Sequence, residues 1–310
     1  MIYNGQIVCL IAGNYTIYDL KENKYISSKP RGVFRIKDNA PKVGDFVDYS
    51  LTENEMGIIE KIYPRKNNLI RPSICNIDQA FIIFSVKEPD LNLNLLDKFL
   101  VTLEYHQIKP IIIFNKMDLL ESKEIEEVNN IISYYQQIGY HTIKTSAISK
   151  VIDNLKEMLT NKVSVFAGQS GVGKSSLLNV LNPHQELKTT EISHALGRGK
   201  HTTRHVELFS VNGGFVADTP GFGTIDFEDM RDIDIAQNFV DFFKVSNLCK
   251  YNGCLHLNEP QCMVKKEVEN KNIIASRYEN YLAFIKEIRK DRKDDNSSFN
   301  TKYRQRKSYK

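Results

Sequence analysis

The stretch that most constrains this chain is Gly168-Gln169-Ser170-Gly171-Val172-Gly173-Lys174-Ser175, followed by Ser176. It matches G-x-x-x-x-G-K-[ST], with Gly168, Gly173, Lys174 and Ser175 at the defining positions. Glycines at this spacing let backbone N–H groups close around phosphate oxygens. The lysine neutralises β/γ charge, and the serine hydroxyl holds magnesium. Residues 161–167, with Val163, Val165 and Phe166, read as a buried strand entering the loop, and Ser175 to Leu181 read as the helix leaving it. Strand, loop and helix N-terminus together form an anion site. The stretch by itself implies a nucleoside triphosphate and says nothing about the base.

At 310 residues the chain is too long for one ordinary core, so two or three domains are expected. No apolar run reaches bilayer length and the N-terminus lacks a charged and then apolar leader, so a cytoplasmic protein without a membrane role is expected. Five cysteines, three of them between Cys249 and Cys262, argue for a metal site in a reducing compartment over a disulfide framework. The net charge of +4 is unevenly placed: residues 286–310 carry ten Lys/Arg against four Asp/Glu, a net of +6, which leaves −2 for residues 1–285.

Five short alternating segments lie at Gln6–Ile11, Tyr15–Leu20, Gly32–Ile36, Asp45–Ser50 and Gly57–Tyr63, and predict a small β-barrel. An OB-type barrel is the five-stranded candidate, and the pattern alone does not separate it from a plain SH3-like module. Lys61, Arg65, Lys66 and Arg71 cluster near its exit, although such clusters are usually solvated surface. From about Asn67 strands alternate with amphipathic helices, as in a sheet with crossover helices. Ala80–Val86 and Ile108–Phe114 read as strands, Leu95 to Leu103 and Val128 to Tyr135 as helices, and Gly139 as a helix terminator.

Directly after the second of these strands stands Asn115-Lys116-Met117-Asp118, which resembles the N-K-x-D element of GTPases. There the aspartate accepts from guanine N1–H and the exocyclic amine, the asparagine amide contacts the base, and adenine cannot meet the acceptor pair. Thr145-Ser146-Ala147 resembles the S-A element whose backbone touches the base. Asp218-Thr219-Pro220-Gly221, behind an apolar strand, resembles DxxG, with Asp218 on magnesium through water and the Gly221 N–H on the γ-phosphate. Thr203, with Thr202 as the neighbouring alternative, is the candidate magnesium ligand of a Gly/Lys/Arg-rich loop from Gly197 to His205. The order is permuted: residues 115–118 and 146–147 precede the phosphate loop, where an ordinary GTPase has them after it.

Cys249-x4-Cys254-x-His256-x5-Cys262 supplies four soft or borderline ligands at spacings compatible with tetrahedral zinc. With all four positions filled by protein, the metal is expected to be structural. Barrel, permuted GTPase and Cys3His module together resemble the RsgA (YjeQ) family of small ribosomal subunit biogenesis GTPases, over essentially the whole chain. Ser85-Val86-Lys87-Glu88-Pro89, residues 115–118, 168–176 and 199–203, and the zinc ligands carry the resemblance.

What it implies is a multidomain protein: an OB-type β-barrel over 1–67, a circularly permuted α/β GTPase domain over 68–228, and a mainly helical zinc domain with a basic tail over 229–310. The implied activity is hydrolysis of GTP to GDP and phosphate, stimulated by the small (30S) ribosomal subunit late in its maturation. Phe222, immediately after the DxxG glycine, cannot polarise water, so His201 is the candidate that orients it, and the resemblance points to the same residue. The alternative is a solvated loop histidine, and the alternative function a non-catalytic, nucleotide-gated rRNA-binding module. The switch II segment, Asp218 to Gly223, feeds through Thr224 to Asp241 into the zinc module, so a γ-phosphate contact at Gly221 is expected to bias the C-terminal domain. Residues 291–310 lose helical periodicity and mix Lys/Arg with Tyr303 and Tyr309, which suits rRNA, or else a solubilising tail. No oligomer signal is visible, and a monomer is expected.

Overall fold

A computed structural model of the chain describes residues 1–35, 40–146, 152–181, 206–218, 225–227 and 230–307. The chain forms two compact units, residues 1–91 with 106–224, and residues 92–105 with 225–310. None of the described helices is long and apolar enough to cross a membrane.

The first unit begins with a closed five-stranded barrel of β1 (Ile2–Ile11), β2 (Asn14–Asp19), β3 (Tyr25–Pro30), β4 (Phe46–Leu51) and β5 (Gly57–Ile62). β1 pairs antiparallel with β2 and β4, β2 with β3, and β4 with β5, while β3 closes the ring parallel to β5. Ile7, Ile17, Val47, Tyr49 and Ile59 fill it. The expected strand at Gly32–Ile36 is wrong: Gly32–Arg35 form a 3-10 turn, and the third strand lies earlier, at Tyr25–Pro30. Its inward positions are Ile26 and Ser28, and a serine on the core face hides the apolar alternation. The Ser28 hydroxyl donates to the Ile26 carbonyl at 3.1 Å. A Cβ on Gly57 would meet Ser28 Oγ at 2.3 Å, so a larger residue there would displace the Ser28 hydroxyl.

Beyond the barrel, β6 (Asn68–Leu69) and β7 (Ile74–Cys75) form a hairpin. Three of the four basic residues at the exit make contacts within this unit. Arg65 donates to both oxygens of the buried Asp45, at 2.6 and 2.7 Å, Lys66 pairs with Asp78, and Lys61 lies 4.5 Å over the Tyr63 ring.

The α/β part of this unit carries β8 (Gln79–Ser85), β9 (Lys109–Asn115), β10 (His141–Lys144), β11 (Val163–Ala167), β12 (Glu207–Val211) and β13 (Gly214–Asp218). Their order is β10-β9-β8-β11-β13-β12, parallel except for β12, and β12 continues the sheet into the barrel through one pairing, Cys9 with Glu207. β8 and β11 are buried at every position, as expected of strands covered on both faces. Helices α1 (Leu93–Tyr105), α2 (Ser122–Ile138), α3 (Ile152–Leu159) and α4 (Lys174–Leu181) lie between the strands in sequence. Gly139 ends α2 in the left-handed region, at φ 116°. The chain steps from β8 to β9 to β10, then returns to β11 on the other side of β8. That reversal opens a crevice at the carboxyl ends of β8 and β11, the place where open α/β sheets take their ligands.

The second unit gathers α1 with α5 (Asp232–Asn238), α6 (Val240–Ser246), α7 (Met263–Glu269) and α8 (Ala275–Lys307). Val101, Phe239, Phe242, Tyr281, Phe284 and Ile285 are among its core. Arg277, fully buried, donates to Asp97 of α1 at 2.5 Å and to both oxygens of Asp241 at 2.9 and 2.8 Å, and its guanidinium lies 4.7 Å from the Phe239 ring centre. Asn280 holds the second Asp97 oxygen at 2.7 Å. The buried face of α8 runs through Tyr281, Phe284, Ile285 and Ile288, while Leu282 is 39% exposed. The helix continues to Lys307, although apolar periodicity stops near Asp291. No glycine or proline interrupts it, and its Lys, Arg and Gln residues are good helix formers.

Candidate functional site

The phosphate loop is fixed where β11 leaves the sheet. Gly168 has φ 141°, and a Cβ there would meet the Ile83 carbonyl oxygen of β8 at 2.2 Å, so only glycine allows the loop to turn this close to its neighbour. Val172 is fully buried and anchors the loop in a core shared with Phe81, Phe166 and Leu177. The Leu177 N–H bonds the Gly173 carbonyl at 3.1 Å, winding the first turn of α4. Lys174 Nζ donates to the carbonyls of Gly168 and Gln169, the latter at 2.5 Å, so the ammonium sits within the loop. Burial lowers its pKa from the usual lysine range. Ser170, Gly171, Ser175 and Ser176 are exposed.

The 115–118 turn hangs from the carboxyl end of β9. Asn115, 5% exposed, donates its amide to the Val172 carbonyl at 2.9 Å, tying this turn to the phosphate loop. Its Oδ1 is buried with no hydrogen-bond partner among the described residues. Lys116 adopts φ 62° and rests its ammonium on the Glu88 carbonyl. The Met117 N–H bonds the Thr145 carbonyl at 3.2 Å, and the Thr145 N–H the Phe114 carbonyl at 2.9 Å, so the two sequence elements around 115–118 and 145–146 form one surface. Asp118 and Ser146 are exposed there. Exposed in this way, Asp118 can discriminate between bases only as far as a bound base covers it. Asp218 ends β13, which pairs with β11 through Ala217 and Val165, next to the phosphate loop. Ala147, His201, Thr202, Thr203, Gly221 and Phe222 lie outside the described residues.

In the second unit Cys249, Cys254, His256 and Cys262 converge, their ligand atoms all within 4.8 Å of one another. His256 Nδ1 stands 3.8 Å from Cys249 Sγ and 3.4 Å from Cys262 Sγ. A tetrahedron with metal–sulfur bonds of about 2.3 Å has edges of about 3.8 Å, so the set fits a tetrahedral ion. Burial and the neighbouring thiols push Cys254 up to about 12, and burial lowers His256, keeping the imidazole neutral. A dication reverses the thiol shifts, because it stabilises thiolates that would otherwise repel one another in a buried place. Supporting groups were not legible in advance. Glu259 accepts from the Leu255 and Leu257 N–H groups at 2.9 and 2.7 Å, Tyr278 donates to the His256 carbonyl at 2.7 Å, and Tyr281 to that of Leu255. An acidic residue three positions after the histidine was the sole signal.

Comparison with known proteins agrees with this architecture. The family model described as RsgA GTPase matches residues 62–228, and that described as RsgA N-terminal domain matches residues 4–59. A protein of Geobacillus sp. (strain WCH70) named small ribosomal subunit biogenesis GTPase RsgA is 48% identical over 290 residues, covering 93% of this chain and 98% of the relative. One of the same name from Bacillus anthracis is 49% identical over 286 residues, covering 92% and 97%. Among solved structures, YloQ, described as a circularly permuted GTPase, superposes with a TM-score of 0.80 at 39% identity, covering 94% of this chain and 96% of the other. YjeQ from Thermotoga maritima gives 0.80 at 35% identity, covering 93% and 98%.

Proposed function

The chain belongs to the RsgA GTPase family and is a GTP-hydrolysing enzyme, and we propose that it converts GTP to GDP and phosphate on the maturing small (30S) ribosomal subunit, which stimulates it. The observation that carries this reading is the Asn115–Val172 hydrogen bond of 2.9 Å. It joins the base-reading turn to the phosphate loop in the permuted chain order.

The backbone of residues 168–176 cradles the phosphates, and Lys174 leaves its two carbonyls to neutralise β/γ charge. Asp118 accepts from guanine N1–H and amine, while the Ser146 and Ala147 backbone and Lys116 complete the base pocket. Ser175 and Thr203, or Thr202 in its place, hold magnesium; Asp218 does so through water, and the Gly221 N–H reads the γ-phosphate. Magnesium, when bound, neutralises charge developing on the phosphate oxygens. His201 orients the attacking water, since Phe222 cannot. Cys249, Cys254, His256 and Cys262 hold one zinc ion, which is structural because the protein fills all four positions. Domains spanning 1–67, 68–228 and 229–310 divide these tasks, with rRNA contacts from the barrel and the basic residues of 291–310. The protein acts as a monomer in the cytoplasm.

The test is steady-state phosphate release from GTP with and without small ribosomal subunits. Stimulation by the subunit is expected, and His201→Ala should lower the stimulated rate while leaving nucleotide affinity nearly intact. Equal release in both conditions overturns the proposed role of the ribosome.

A further inference from the structure

The loop between β8 and α1 borders two parts of the proposed nucleotide site, the 115–118 turn and the phosphate loop. Its Val86 N–H donates to the Asn115 carbonyl at 3.0 Å, its Glu88 carbonyl accepts the Lys116 ammonium, and Pro89 lies 3.8 Å from where a Cβ of Gly171 in the phosphate loop would stand. Two non-glycine residues face each other here in the left-handed region, Glu88 at φ 56° and Lys116 at φ 62°. Such conformations are sparsely populated and persist where the surroundings fix them. One constraint is local, the Ser85 hydroxyl donating to the Lys87 carbonyl. The other comes from outside the loop: Lys87 Nζ meets both oxygens of Glu124, at 2.9 and 3.0 Å. The same carboxylate accepts the Glu121 N–H at 2.8 Å and so caps α2, the helix that starts directly behind the 115–118 turn. Loop 85–89 and the start of α2, three residues past the base-reading turn, therefore share one anchor.

We propose that Lys87 and Glu124 are positioning residues for guanine recognition: their ion pair holds loop 85–89 as the support on which Lys116, and through it Asp118, is aligned. Neither side chain is offered as a contact to the nucleotide. The proposal rests on the reading of residues 115–118 as the base-binding turn. Both residues are partly exposed, 30% and 41%, so a modest effect is expected, about two- to fivefold in affinity.

The experiment measures GDP and inosine diphosphate binding by competition with a fluorescent guanine nucleotide, on the full chain with zinc bound. Lys87→Met breaks the pair but keeps the helix cap, Glu124→Gln keeps a capping oxygen but loses the charge, and Lys87→Arg retains the pair. Lys87→Met and Glu124→Gln should each weaken GDP about two- to fivefold. The double variant should be no weaker than either single, Lys87→Arg should bind as wild type, and inosine diphosphate should lose less because it lacks the exocyclic amine. Unchanged GDP affinity in folded Lys87→Met overturns the proposal. So do additive losses in the double variant, or equal losses for the two nucleotides. Asp118→Asn is the control. If it leaves the preference for guanine intact, the underlying reading of the turn fails; if it abolishes that preference while Lys87→Met does nothing, only the positioning role fails.

Discussion

The nucleotide site and the metal knuckle are both short loops that present a few polar groups, yet they are built in opposite ways. At the proposed nucleotide site Asp118 and Ser175 are exposed, one beside the Met117–Thr145 backbone bond past the end of β9 and the other in the first turn of α4. At the knuckle Cys254, His256 and Cys262 are 7%, 1% and 6% exposed, behind Tyr278 and Tyr281. A ligand that must enter and leave needs preformed backbone with open side chains. An ion that stays can be enclosed by the residues it holds together, and its binding then counts as folding energy.

That contrast can be broken from the knuckle side with the largest effect. If the Cys3His set holds zinc as proposed, Cys262→Ser or exhaustive chelation should remove the ion and unfold the second unit, since structural zinc is worth about 10–16 kcal/mol in zinc-finger peptides. Metal content and hydrogen exchange over residues 230–290 check this, with GDP binding retained. Next comes the buried charge centre of the same unit. Arg277→Met leaves Asp97 and Asp241 buried without their cation and should cost about 3–5 kcal/mol in denaturant unfolding. A loss below about 1 kcal/mol would mean that water reaches these carboxylates.

On the nucleotide side the effects should fall on affinity. Gly168→Ala puts a Cβ 2.2 Å from the Ile83 carbonyl and should weaken GDP by about ten- to a hundredfold, as expected for roughly 1–3 kcal/mol of backbone strain. Isothermal calorimetry would measure it. Asp118→Asn should weaken GDP by about ten- to a hundredfold, as for loss of charge-assisted hydrogen bonds, and shift preference toward xanthine, whose C2 carbonyl can accept from the new amide. Because Asp118 is exposed, its thermal unfolding should stay as in the parent chain. A large drop in melting temperature there would erase the distinction between the two sites.

The same difference explains what the sequence made legible. The phosphate loop, the 115–118 turn and the Cys3His set are contiguous or nearly so, and each needs particular residue types at fixed spacing, so each could be read directly. Asp97, Asp241 and Arg277 could not, because they meet across as many as 180 positions and no spacing rule connects them. Arg65 looked like surface charge until the fold brought it to Asp45. The third barrel strand was misplaced because Ser28 occupies a core position that its neighbours' pattern does not advertise. Likewise α1 reads as a crossover helix between β8 and β9, and nothing local says that it packs with α5 and α8.

The place of α1 also bears on how the chain is made. Asp97 leaves the peptide-synthesising machinery 180 residues ahead of Arg277. At about 5–20 residues per second, it waits roughly 10–40 s before its partner exists. During that interval β8 and β9 can pair, but the helix between them has yet to meet Arg277. The first half of the molecule therefore stays unfinished until the last helix has emerged, and in a chain stalled before Arg277 the contact between Asp97 and that guanidinium cannot form.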